Sequence, residues 1–182
     1  MVNVDKFIQD LARKAGKLVK AEFGRAQIIK AKRDPTDVFT QADLASERLI
    51  ISAIKKKFPS HVIVAEENGT YHKEAEYVWY IDPIDGTFNF SRGNPNFCVM
   101  IGVARRGIAL AGAIYLPMLD WMYFASAGKG AYLNGRRIYG SSTKMWKDSY
   151  GCATANMRRP EKIGFMKKLL IKARDYPFWL GA

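Results

Sequence analysis

The spacing of apolar residues changes once along this chain, and that change limits the fold more than any other feature. Val4, Phe7, Ile8, Leu11, Ala15, Leu18, Val19 and Phe23 recur at steps of three and four with lysines and arginines between them. This is the pattern of an amphipathic helix that lays one face on a core. Gly24 is expected to end it. A second helix is predicted from Gln41 to Lys57, and between the two KAKRDPTDVFTQAD reads as a polar connection in which Pro35 opposes regular structure. Beyond it the rhythm shortens. β-rich runs at residues 62–65, 77–81, 97–104, 108–115 and 121–126 are separated by turn-forming Gly, Pro, Asn and Asp. Pro160 at a first helical position, followed by Ile163, Met166, Leu169, Leu170 and Ala173, predicts a late helix. Helices, then mostly antiparallel strands, then a helix again give an α+β layered fold.

The 182 residues suffice for one domain, which at this size buries roughly 70% of the surface of the unfolded chain. The net charge is +12, and its distribution matters more than its size. Residues 1–33 and residues 144–182 each carry a net +6, whereas residues 34–143 balance at zero. Basic ends can steer phosphorylated small molecules or polyanions, but lysines between the apolar positions of a helix are first of all its wet face. A nucleic-acid partner is therefore disfavoured. The two cysteines, Cys98 and Cys152, lack CxxC spacing, which indicates neither a zinc site nor a disulfide scaffold and fits a reducing cytoplasm. The longest apolar run, residues 108–119, contains Pro117 and falls short of the ~20 residues that span a bilayer, so no membrane partner is expected.

The chemistry concentrates in DPIDGTFNF, residues 82–90, directly after the apolar run Tyr77, Val78, Trp79, Tyr80, Ile81. Asp82 and Asp85 stand three positions apart, and a second acidic pair, Glu66 and Glu67, follows the predicted strand 62–65. If those strands are neighbours, Glu66, Asp82 and Asp85 converge at one sheet edge. Carboxylates that close repel one another unless a cation neutralises them. With only two histidines, His61 and His72, the hard-oxygen set favours Mg²⁺. Gly86 and Thr87 would supply backbone N–H groups and a hydroxyl to a phosphate at a helix start. Each residue also has a plainer role. Thr40 and Asp43 match a capping box, Asp82 before Pro83 matches a turn, and Glu66 and Glu67 alone would form a solvated loop. The DxDGT loop of haloacid dehalogenase-type phosphatases is imitated only in its tail, because Pro83 stands where its nucleophilic aspartate belongs.

In these motifs the chain resembles the inositol monophosphatase family of Mg²⁺-dependent, lithium-sensitive phosphatases. DPIDGTxNF is present at Asp82 to Phe90, AEEN at residues 65–68, a lysine and aspartate loop at residues 32–43, and AGKGAYLNG, like the family's hairpin, at residues 127–135. The resemblance implies a layered α/β/α sugar-phosphatase-like fold over residues 1–182. Residues 1–143 would carry the metal site, and 144–182 would begin an incomplete C-terminal α/β part. It implies a first metal surrounded by Glu66, Asp82, Thr87 and the carbonyl of Ile84, and a second shared by Asp82 and Asp85. Asp43 with Thr87, assisted by Glu66, would orient and deprotonate a metal-bound water, Lys32 would lie at the margin, and Asp85, Gly86 and Thr87 would face the substrate. The expected reaction is hydrolysis of inositol monophosphate or a sugar phosphate such as fructose 1,6-bisphosphate, with homodimerisation a family expectation. The family's WDxAAG-like motif, whose aspartate completes the second metal site, has no counterpart, since no Trp is followed by Asp. The alternative is therefore a catalytically impaired phosphate- or polyanion-binding remnant of the same fold.

Overall fold

Helix α1 runs Val4–Glu22 in the computed structural model, which describes residues 4–25, 28–31, 38–65, 75–144, 151–153 and 178–180. Its buried residues Ile8, Leu11, Ala12, Ala15, Gly16 and Val19 form the stripe that the sequence spacing predicts. Helix α2 spans Gln41–Lys57 and lies against α1. Its buried face is Ala42, Asp43, Ser46, Glu47, Ile50 and Ile54. Half of that face is polar or charged, and such groups are buried at a cost unless they find partners.

Seven strands make one sheet in the order β3-β4-β5-β6-β7-β8-β9. These are Val62–Ala65, Tyr77–Asp85, Cys98–Arg105, Ile108–Leu116, Trp121–Ser126, Gly130–Leu133 and Arg136–Ile138. β3 and β4 are parallel, and every other pair is antiparallel. The central mixed sheet is thus mostly antiparallel, as the sequence rhythm implies. Helices α1 and α2 cover one face, where Trp79, Ile81, Val99, Ile101, Ala113, Tyr115 and Met122 are buried. Tyr80 and Ile114 point the other way and are 43% and 41% exposed. The β8–β9 connection is the hairpin expected within residues 127–135. Asn134 and Gly135 both take positive φ, 48° and 80°, as a two-residue turn matched to strand twist requires.

Two expectations need correction. The connection between α1 and α2 contains short strands, β1 at Ile28–Ala31 and β2 at Val38–Thr40, paired antiparallel. Val38, Phe39, Ile28 and Ile29 are strand formers that a lysine-rich surrounding disguises. The strand predicted to stop at residue 81 continues to Asp85, so both aspartates belong to β4.

By its contacts the chain divides into Met1–Ile138 and Tyr139–Ala182. In the second unit β10 (Gly151–Ala153) and β11 (Phe178–Leu180) pair in parallel. The predicted late helix lies outside the described residues. Among the described residues no helix is long and apolar enough to cross a membrane.

Candidate active site

β4 carries the aspartates through a bulge. Its pairing with β5 runs regularly from Tyr77↔Arg105 to Asp82↔Met100 and resumes at Asp85↔Cys98. Three residues of β4 therefore advance against two of β5. Bulges of this kind bend a strand and re-aim its side chains, often next to functional sites. Asp82 accepts the N–H of Ile84 on Oδ1 at 3.1 Å, a local turn of the sort that aspartate favours. Gly86 then reverses the chain with φ +88°. A side chain there would be strained, and its Cβ would meet Asn96 O at 3.0 Å. Helix α3, Thr87–Ser91, begins at once.

Thr87 joins this segment to α2. Its Oγ1 lies 2.8 Å from the carbonyl oxygen of Ile84 and 3.0 Å from Asp43 Oδ1. One hydroxyl proton thus has two acceptors. Asp43, 3% exposed, accepts the Thr40 N–H at 2.8 Å and the Thr40 hydroxyl on its other oxygen, Oδ2. The capping box is real, and it occupies the oxygen that Thr87 does not. Burial raises the carboxyl of Asp43 above its ordinary range, against the lowering effect of hydrogen bonds from Thr40 and Thr87. A carboxylate so placed is a stronger proton acceptor than one in water.

Two contacts were not foreseen from sequence. Ser46, fully buried one helical turn beyond Asp43, donates from Oγ to the carbonyl of Pro83 at 3.2 Å. Its spacing of three from Asp43 puts it on the same helix face, which was the available signal. Cys98 Sγ lies 3.5 Å from Asp85 Oδ2. Burial, then the charge of Asp85 and its hydrogen bond, then the charge of Asp82, push its thiol up to about 12.

The structure brings Asp82, Ile84, Asp85, Gly86 and Thr87 into one turn and fastens Asp43 to it. β3 ends at Ala65, paired with Ile81, so the strands that lead to the two acidic segments are neighbours. Lys32, Glu66 and Glu67 lie outside the described residues. Among the described residues no three or more Asp, Glu, His or Cys side chains form a metal-binding group. The groups that could take part in holding a cation, the carboxylates of Asp82 and Asp85 and the carbonyl of Ile84, are all oxygens, the donors that hard divalent ions take.

A helix-covered, mostly antiparallel mixed sheet with two aspartates and a Gly-Thr helix start at the end of one strand makes an α+β fold. The chain belongs to the inositol monophosphatase family, whose family model matches residues 1–176. It is 38% identical over 143 residues to the fructose-1,6-bisphosphatase/inositol-1-monophosphatase of Aquifex aeolicus, covering 76% of this chain and 54% of that protein. To the Nus factor SuhB of Escherichia coli K12 it is 37% identical over 135 residues, covering 73% of this chain and 51% of that protein. The solved Thermotoga maritima IMPase superposes with a TM-score of 0.85 at 29% identity, covering 96% of this chain and 66% of that one. The chain thus spans about half the length of the curated relatives it matches.

Proposed function

We propose that this chain carries the catalytic apparatus of a magnesium-dependent phosphomonoesterase, with inositol monophosphate or a sugar phosphate such as fructose 1,6-bisphosphate as substrate and water as nucleophile. The observation that carries this reading is the Thr87 hydroxyl, set between the buried carboxylate of Asp43 and the carbonyl of Ile84, with an aspartate on either side of that carbonyl. Asp82, Asp85 and the Ile84 carbonyl, with Glu66, would hold the cation. When bound, it supplies charge neutralisation for the phosphoryl oxygens and acidifies water.

This chain's own residues do the rest. Thr87 Oγ1 orients the attacking water, whose proton passes to Asp43 Oδ1 as its oxygen bonds to phosphorus; the P–O ester bond breaks with its electron pair on the ester oxygen, which takes a proton from solvent water and leaves as the alcohol. The burial that raises Asp43 brings its proton affinity nearer to what general-base catalysis at neutral pH needs. Backbone N–H groups at Gly86 and Thr87 take the phosphate oxygens, and Lys32 adds positive charge at the margin. Cytoplasmic residence and self-association through the exposed sheet face near Tyr80 and Ile114 belong to the same proposal. Phosphate release from both substrates, with and without Mg²⁺, tests it. Turnover independent of metal, or undiminished in Asp82→Asn, would overturn it.

A second reading, beside a relative named a Nus factor, is non-catalytic binding of phosphate or a polyanion. Lys14, Lys17 and Lys20 stand exposed on α1 and fit such a partner. Its signature would be affinity for a nucleic acid that falls linearly in log–log plots against salt, without hydrolysis of either ester.

A further inference from the structure

We infer that Ser46 is a positioning residue for the cation-binding turn, an inference that rests on the magnesium reading above. At residues 83 and 84 the β4–β5 register shifts, so regular pairing with β5 does not fix the backbone between the two aspartates. The fixing comes from side chains. The Pro83 carbonyl accepts from Ser46 Oγ at 3.2 Å, and one peptide later the Ile84 carbonyl accepts from Thr87 Oγ1 at 2.8 Å. Thr87 in turn reaches Asp43, three residues before Ser46 on α2. Helix α2 therefore grips the turn twice, once directly and once through Thr87, and the two grips fall on adjacent peptide groups.

Rotation of those peptides would swing the Ile84 carbonyl and change the separation of the Asp82 and Asp85 carboxylates. Both the hydroxyl and Pro83 are fully buried, so no water replaces Ser46 cheaply. A serine in a helix interior usually turns to solvent or back to its own helix. This one is spent on the strand that bears the acids. Outer partners that orient metal ligands typically matter about tenfold or more in metal affinity.

The test is calorimetric titration of the full chain with Mg²⁺ alone, with Mn²⁺ paramagnetic resonance as a second readout. Wild type should bind. Ser46→Ala should bind about tenfold more weakly, and Ser46→Thr, which keeps the hydroxyl, should recover most of the loss. Ile54→Val, which removes a methylene from the same buried face of α2 two turns further on, should bind as wild type does. Ser46→Cys keeps nearly the same volume with a weaker donor and reads the same contact if the alanine variant fails to fold. Unchanged affinity in Ser46→Ala or Ser46→Cys would overturn the inference while leaving the magnesium reading intact, as would equal weakening in Ile54→Val. A wild-type chain that takes up neither ion would overturn the magnesium reading and the inference with it.

Discussion

Thr87 Oγ1 lies 3.0 Å from Asp43 Oδ1, a contact between residues 44 positions apart. In the proposed function it makes a helix-capping carboxylate part of the site. Because Oδ2 serves Thr40 and Oδ1 serves Thr87, the structural and chemical duties of Asp43 can be separated. Asparagine in its place can still offer an oxygen to the cap but is no base. Asp43→Asn is expected to lower kcat for phosphate release roughly 10²–10⁴-fold, the range for a lost general base. Its thermal unfolding should stay close to wild type. A variant that unfolds early and keeps its turnover would show that Asp43 only caps.

Thr40→Ala removes the cap from the other side. The Asp43 N–H and the carboxylate both lose a partner, at a cost of about 0.5–2 kcal/mol. The Asp43–Thr87 contact does not pass through Thr40, so the metal dependence of turnover should persist even as denaturant midpoints fall. Urea unfolding alongside phosphate release separates the two effects.

How much of this was legible in the sequence follows from distance along the chain. Asp82, Asp85, Gly86 and Thr87 fall within six residues, and their placement together could be read directly. Asp43 could be read only as a choice between cap and base, because nothing in TQAD shows which residue approaches its second oxygen. The contact of Ser46 with Pro83 had no signal beyond its spacing of three from Asp43, since a serine between Ala45 and Glu47 resembles a helix's wet face until β4 is laid against it. The small β1–β2 ladder was hidden for another reason. Its pairing is set by two segments meeting, and one of them is surrounded by charge. The bulge that extends β4 to Asp85 likewise depends on its register with β5 and leaves no local mark beyond Pro83.

Gly16 tests how closely α1 must approach the sheet. A Cβ built there meets Tyr115 Cδ1 at 2.4 Å, far inside van der Waals contact. In an exposed helix Gly→Ala gains roughly 0.8–1.0 kcal/mol in propensity. Here overpacking at about 1–3 kcal/mol outweighs it, so Gly16→Ala should destabilise the chain. Replacing Tyr115 by leucine in the same molecule should return much of the loss, a coupling that a double-mutant cycle in urea measures. An alanine variant as stable as wild type would mean that the ring simply moves aside.

His61 gives the chain a pH dependence whose sign is fixed by its surroundings. The imidazole stacks on Phe58 at 4.8 Å and on Tyr77 at 4.4 Å between ring centroids. Its Nδ1 accepts the indole N–H of Trp79 at 2.9 Å, so the neutral ring carries its proton on Nε2. An imidazolium would lose that bond. Burial lowers the affinity of His61 for a proton, partly offset by the nearby Glu76 carboxylate, which is itself held by Arg105 at 2.7 Å. With the folded-state value depressed below the ordinary one of about 6.5, the unfolded chain binds more protons than the native one in that region. The contribution is therefore complete above pH 6.5 and fades as the pH falls below it. Melting temperature followed from pH 7.5 downward should begin to fall below about 6.5, and His61→Gln should flatten that onset while lowering stability at neutral pH. A melting curve with the same onset in His61→Gln would assign the acid sensitivity to other groups.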